Sequence, residues 1–447
     1  MRLAPCVRDA VAHYLELLEG KHAASTRDIL AAATERHDLT SDGRPLCTVL
    51  RPHMLDAASY DASCRAAALV NKGLMHVVER LLDDPDYARA AGIPEHLDPV
   101  LELDRAHGLP SIMSRLDGIV DGDGVIKFIE FNSEPGHVLD NYAVDRVFSS
   151  MPIAEELRRR FPFRTIPLAD CAFDALLEDN RRNGKSGPPC VALVRTTADI
   201  TVGKNFNWLA RAASEGCRVL VAAPGEFVHR SDKLFVEQHQ VDLLILDPET
   251  MLLRPPGAKA MLDAVAAGSV RTLYGVSRGI VSSAKIVFEL LSDPAHWEGL
   301  DAEITGALTR HVPWTRRLHE CDTTRDGEVI DLMSWVADNQ ERLVVKPSGG
   351  YGGEGVMPGW TATKEEWTKK LEDALRRPHV VQERVEAPTE LFPVWKDGQL
   401  HHEPFHYDLN PYIWNGDIVS GYVMRLTKGA IHNVASGDGL LAAKWIL

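Results

Sequence analysis

The stretch VVKPSGGYGGEGV, residues 344–356, sets Lys346 and a run of glycines directly behind two β-branched apolar residues. Glycine tolerates φ > 0 and lets backbone N–H groups come close to a ligand, so a glycine-rich turn after a strand is a natural phosphate cradle. The plainer reading is an ordinary surface loop. A second group comes from RLD (115–117) and EFN (130–132), which bring Arg115, Asp117, Glu130 and Asn132 together on two adjacent strands. Two carboxylates and an amide oxygen make a hard, oxygen-only donor set, which holds Mg²⁺ poorly alone and well once substrate phosphates complete the octahedron. An arginine beside such a set can stabilise charge on a transferring phosphoryl group. The plainer reading here is a salt bridge across a hairpin.

The elements around these residues decide between the readings. DGDG (121–124) is a hairpin signal between the two strands. Strict alternation in VIKFIEFN would put Ile126, Phe128, Glu130 and Asn132 on one face, so two polar residues end a face that begins apolar. About thirty residues after the glycine run, VVQERVE (380–386) offers a strand whose backbone suits the edge of an adenine, with Gln382 and Glu383 beside it. The first hundred residues show helical spacing at Val7, Val11, Leu15 and Leu18 and at Leu74, Val78 and Leu81, and DDPDYARAAGIPEHLDP closes them as a turn. CVALVRTT, a helix containing NWLARAASEG, CRVLVAAP and a third strand in VDLLILDP form a βαβ pattern, hence a small parallel sheet, with RRNGKSGPP as the linker before it. SSAKIVFELLSD reads as one helix, TKEEWTKKLEDALRR as another, and the last fifty residues as strands with turns at KDGQ, NGD and SGDG. HEPFH (402–406) matches a zinc-protease pattern, but that chemistry needs both histidines on one helical face, and Pro404 denies the helix.

A chain of 447 residues with 45% hydrophobic and 25% charged residues reads as a globular protein of several packed units. The net charge of −15 argues against nucleic acid or an anionic membrane as partner, while leaving room for small anions in a local basic pocket. Seven scattered cysteines without a C-x-x-C pair, no apolar leader and no run approaching a membrane span predict a cytoplasmic protein with reduced thiols.

Together VVKPSGGYGGEGV, VVQERVE, RLD…EFN and the lysine of SSAKIVFELL resemble the ATP-grasp ligases. The layout is similar to the circularly permuted branch that includes the synthetase domain of glutathionylspermidine synthase, in which the metal-binding strand pair precedes the nucleotide loop. The resemblance implies an α/β ATP-grasp fold: a helical region over 1–105, the metal-binding strand pair in 106–165, and a βαβ pre-ATP-grasp-like substrate domain in 166–284. It further implies a nucleotide-binding lid subdomain in 285–390 and C-terminal core strands in 391–447. By the same resemblance Asp117, Glu130 and Asn132 would ligate one or two Mg²⁺ ions, with Mn²⁺ as a substitute. Arg115 would stabilise phosphoryl transfer, and Arg425 in GYVMRL would be a further phosphate-binding arginine. Lys285 and Lys346 would grip the ATP phosphates under Gly349, Gly350, Gly352 and Gly353, while Gln382, Glu383 and Val385 would frame adenine and ribose.

In the unpermuted order the metal ligands would lie near the C-terminus instead, with Asp408 and Asn433 as candidates. FNSEPG departs from the glutathionylspermidine synthase type, so a polyamine substrate is not implied. The activity implied is an ADP-forming carboxylate–amine ligase acting through an acyl phosphate on small acids and amines such as amino acids, with a homodimer compatible. Substrate contacts are expected in SEPGHVLDN, at Ser133, Glu134 and His137, and in the βαβ section. A small-molecule kinase and a nucleotide-binding protein without activity are the alternatives.

Overall fold

The computed structural model describes residues 4–94, 97, 101–103, 111–195, 211–246, 254–350, 352–434 and 439–447. Helices Pro5–Leu17, Ala23–His37 and Ala57–Asp83 build the N-terminal region, the longest burying Leu74, Val78 and Leu81 along one stripe. The stretch read as a turn from Asp83 onward instead forms the short helix Pro85–Ala90. Asp84 caps it through the N–H groups of Asp86 and Tyr87, and proline at the first helical position costs no hydrogen bond. No helix among the described residues is long and apolar enough to cross a membrane.

The βαβ pattern yields the expected parallel sheet, in the order Arg271–Thr272, Leu243–Ile245, Cys190–Val194, Arg218–Ala222. A three-stranded antiparallel meander over Phe227–Val241 packs with this sheet around Ala192, Leu244 and Met261 as a small core of its own. Of the helix expected at NWLARAASEG, residues 211–214 are helical as expected, and the residues before 211 lie outside the described residues.

Strands Met113–Val120 and Ile126–Asn132 form the expected hairpin, closed by Asp121, whose carboxylate accepts the N–H groups of Asp123 and Val125. Chain residues nearly three hundred positions later complete its sheet, in the order Ile418–Val423, Asn410–Trp414, Met113–Val120, Ile126–Asn132. Strict alternation fails inside the hairpin. Asp117 pairs with Glu130, but Gly118 pairs with Phe128, so Ile129 is the extra residue of a β-bulge. Ile126 and Phe128 stay in the core, as does Phe131, whereas Ile129, Glu130 and Asn132 turn to the opposite side. The bulge, not a strand running out into solvent, explains why polar residues follow an apolar face. Any side chain at 118 would be crowded, because an added Cβ would lie 2.9 Å from the Ile126 side chain and 3.0 Å from the Leu409 carbonyl.

A third sheet, Thr315–Arg317, His379–Glu383, Leu343–Pro347, Met357–Pro358, is antiparallel throughout. Leu343, Val345 and Val381 face helix Lys364–Ala374 and its Trp367, forming a separate core. The alternate residues Val344, Lys346 and Gln382 therefore face the other way. HEPFH lies in strand Gln399–Tyr407, and no group of three or more His, Cys, Asp or Glu side chains suited to a metal occurs among the described residues. The turns at KDGQ and NGD form as expected, with Asp397, Gly398, Asn415 and Gly416 at positive φ. Most of SGDG lies outside the described residues.

Candidate active site

The hairpin sheet and the lysine-bearing sheet face each other across a cavity of about 1180 Å³. Asp117, Glu130, Asn132, Arg115 and Arg425 line one side; Lys285, Lys346, Gln382, Glu383, Val385, Gly352 and Gly353 line the other.

On the hairpin side the chemistry is built from alternating charges. The Asp117 carboxylate is buried and accepts from Arg115 Nε at 2.6 Å, Arg115 Nη2 at 3.3 Å and Arg425 Nη2 at 2.8 Å. Burial alone would raise its pKa, but the two guanidinium groups overcome that and hold it well below the usual carboxylate range. Arg425 also donates through Nε to Asp408 at 2.7 Å, and its own backbone N–H reaches Asp408 Oδ1 at 3.0 Å. Burial opposes the charge on Arg425, yet Asp117 and Asp408 together push its pKa up. Glu130 and Asn132 come from the strand opposite, in register with Asp117 and Arg115. The Asn132 Nδ2 is buried without a hydrogen-bond partner. A buried amide left open in this way has room to pair with a water, an ion or a ligand.

On the other side a break between two helices delivers one lysine. The single helix expected through SSAKIVFELL is two, Ser277–Ser283 and Val287–Leu291, with Ala284 extended between them. Lys285 sits at that break, where its N–H donates to the Ser348 carbonyl at 2.9 Å. Its ammonium reaches Glu130 at 3.0 Å and the Gly350 carbonyl at 3.1 Å, tying the glycine loop to the hairpin. Lys346 is buried and donates to Gln382 Oε1 at 2.6 Å and the Ile129 carbonyl at 3.3 Å. Burial lowers its pKa to about 8; Glu130 and Asp117 work against that shift and Lys285 with it. Gly350, Gly352, Gly353 and Gly355 all have positive φ, the conformation that glycine permits at little cost.

Several expected residues take different places. Gly349 and Gly350 do not line the cavity, although the Gly350 carbonyl holds Lys285. Ser133 turns away from it: its Oγ accepts from Ser283 at 2.9 Å, packed where Gly279 leaves room in helix Ser277–Ser283. Glu134 and His137 do line it, His137 with a left-handed backbone and its ring 2.8 Å from Asp140. Glu383 accepts from Arg325 at 2.7 Å. Asp408 and Asn433 line the same cavity as the hairpin carboxylates, so the two metal registers converge on one place.

Sequence reasoning missed Asp38 and Thr40–Asp42, a turn from the helical region that forms part of the wall, and the loop Lys428–Val434. Only the SDG turn signal marked the first, and nothing marked the second. Of the described residues in the βαβ section, expected to hold substrate, only Tyr274 reaches the cavity.

No family model matches the chain. A putative glutamate–cysteine ligase 2-2 from Frankia casuarinae is 35% identical over 108 residues. That match covers 24% of this chain and 12% of the relative, so the chain spans about an eighth of that protein's length. A glutathione synthetase-like effector from Globodera pallida, solved in its apo form, matches with a TM-score of 0.61 at 12% identity, across 100% of both chains. The chain has the ATP-grasp fold. The cavity lies between the glycine-loop sheet and the acidic hairpin sheet, and Lys285, Lys346, Asp117 and Glu130 all line it.

Proposed function

We propose that the protein is an ATP-dependent ligase joining a small carboxylic acid to a small amine, with release of ADP and phosphate. The observation that carries this reading is the convergence on one cavity of two buried lysines, a pair of arginines and the Asp117–Glu130–Asn132 set. The order of the chain, with the hairpin ahead of the glycine-loop sheet and C-terminal strands completing it, supports the circularly permuted arrangement.

The donor set fits Mg²⁺. A carboxylate offers about four acceptor directions, of which the arginines use three at Asp117. The open amide of Asn132, turned over, presents an oxygen beside Glu130. Asp117, Glu130 and Asn132 would hold the ion, which supplies charge neutralisation at the phosphates.

Lys285 and Lys346 would neutralise the β- and γ-phosphates, leaving the γ-phosphorus open to the substrate carboxylate. Attack there forms a P–O bond to the acid and breaks the bond to the oxygen that leaves with ADP. The amine then adds to the acyl carbon and phosphate departs, forming the amide. Arg115 and Arg425 stand where charge develops on the transferring group, so most of the work is positioning and electrostatics. A cavity of about 1180 Å³ exceeds the usual volume of a single-ligand site, which supports a second small substrate such as an amino acid or short peptide. The test is ATP turnover screened against pools of amino acids, with the coupled product identified by mass. Phosphate release with no condensed product from any pool would remove the ligase reading.

A further inference from the structure

We infer that Gln382 and Thr315 are positioning residues for Lys346, an assignment that rests on the nucleotide reading above and goes beyond a role for Gln382 beside the base. Gln382 is 2% exposed, and each end of its amide holds one partner within the protein. Its Oε1 accepts from the Lys346 ammonium at 2.6 Å, and its Nε2 donates to Thr315 Oγ1 at 3.0 Å. Thr315, 0% exposed, is fixed in turn, since its hydroxyl donates to the Pro313 carbonyl at 2.9 Å and its N–H to Ser292 Oγ at 3.0 Å. The hydroxyl proton is thus committed to Pro313, which leaves Oγ1 an acceptor and sets which way the amide lies. The amide must present nitrogen to Thr315 and oxygen to Lys346.

The chemistry of that acceptor matters. Lys346 is held by two neutral oxygens, the Gln382 amide and the Ile129 carbonyl. A neutral acceptor fixes the direction of an ammonium without cancelling its charge, so the full charge stays available to an anionic phosphate. Strand pairing makes the arrangement rigid: Gln382 sits opposite Val344 on one neighbour and Thr315 on the other, so the relay crosses three adjacent strands. One N–H and one lone pair of the amide remain open toward the cavity, but its orientation is already fixed by Lys346 and Thr315.

The experiment is a double-mutant cycle read by calorimetric binding of ATP to the full chain. Gln382→Leu should weaken ATP binding about tenfold to a hundredfold, the size of a lost charge-assisted hydrogen bond. In the Lys346→Met background the same change should have almost no effect, because the lysine it acts through is gone. Thr315→Val leaves Gln382 in place but frees its amide, and should reproduce a smaller loss that also vanishes in that background. It carries the test alone should Gln382→Leu not fold. Losses that add fully across the two backgrounds would overturn the positioning role while leaving the nucleotide site standing. A wild-type chain that binds no ATP would overturn both.

Discussion

Replacing Asp117 with Asn separates what holds the hairpin side together from what it does. The carboxylate is 3% exposed and takes hydrogen bonds from two guanidinium groups at 2.6, 3.3 and 2.8 Å. Asparagine keeps the shape but withdraws the charge and aims an N–H₂ at an arginine. Arg425 retains Asp408, whereas Arg115 loses its carboxylate partner. Removing one partner of a buried ion pair costs about 3–5 kcal/mol, mostly from the charge left behind. The retained Asp408 contact puts the expected loss near the lower end of that range, about 3 kcal/mol. Denaturant titration of the two chains measures it. Adding Arg115→Met removes the stranded guanidinium and should restore most of the stability, while turnover stays abolished in both variants. A loss below about 1 kcal/mol for Asp117→Asn would mean the buried pair is too well solvated for this account. Turnover near normal in a folded Asp117→Asn chain would refute its place in the reacting centre.

Glu130→Ala should abolish ATP turnover in a protein that still folds, since the side chain's ion pair with Lys285 borders an open cavity; circular dichroism with an activity assay checks both halves. Because the pKa of Asp117 is lower folded than unfolded, its stabilisation is present above about pH 4 and is lost as pH falls toward about 2. Denaturant midpoints measured from pH 6 down to pH 3 should fall less steeply for Asp117→Asn than for the wild-type chain.

Much of this site was legible because its residues are local in sequence. Arg115, Asp117, Glu130 and Asn132 belong to one hairpin, and its DGDG turn is strong local punctuation. Lys346 and Gln382 follow from strands whose apolar residues alternate cleanly against Trp367. What could not be read came from long-range geometry. The bulge at Ile129 carries no residue signature, yet it decides which face Glu130 occupies. The helix break at Lys285 depends on the Ser348 carbonyl, sixty-three residues away. Asp408 and Asp117 looked like rival metal sites because sequence separation hides that Arg425 bridges them. The wall at Asp38–Asp42 belongs to a helical region with no motif, so only packing could bring it to the cavity.

The most direct test of the central claim is a trap for the activated acid. With ATP, Mg²⁺ and a carboxylate substrate found by the screen, hydroxylamine takes the place of the amine, and the nucleotide and acyl products are both identified. ADP, phosphate and a hydroxamate should appear in equal amounts and be lost together in Glu130→Ala. ADP with a stable phosphate ester and no hydroxamate would make the protein a kinase, and AMP with pyrophosphate would contradict attack at the γ-phosphorus altogether.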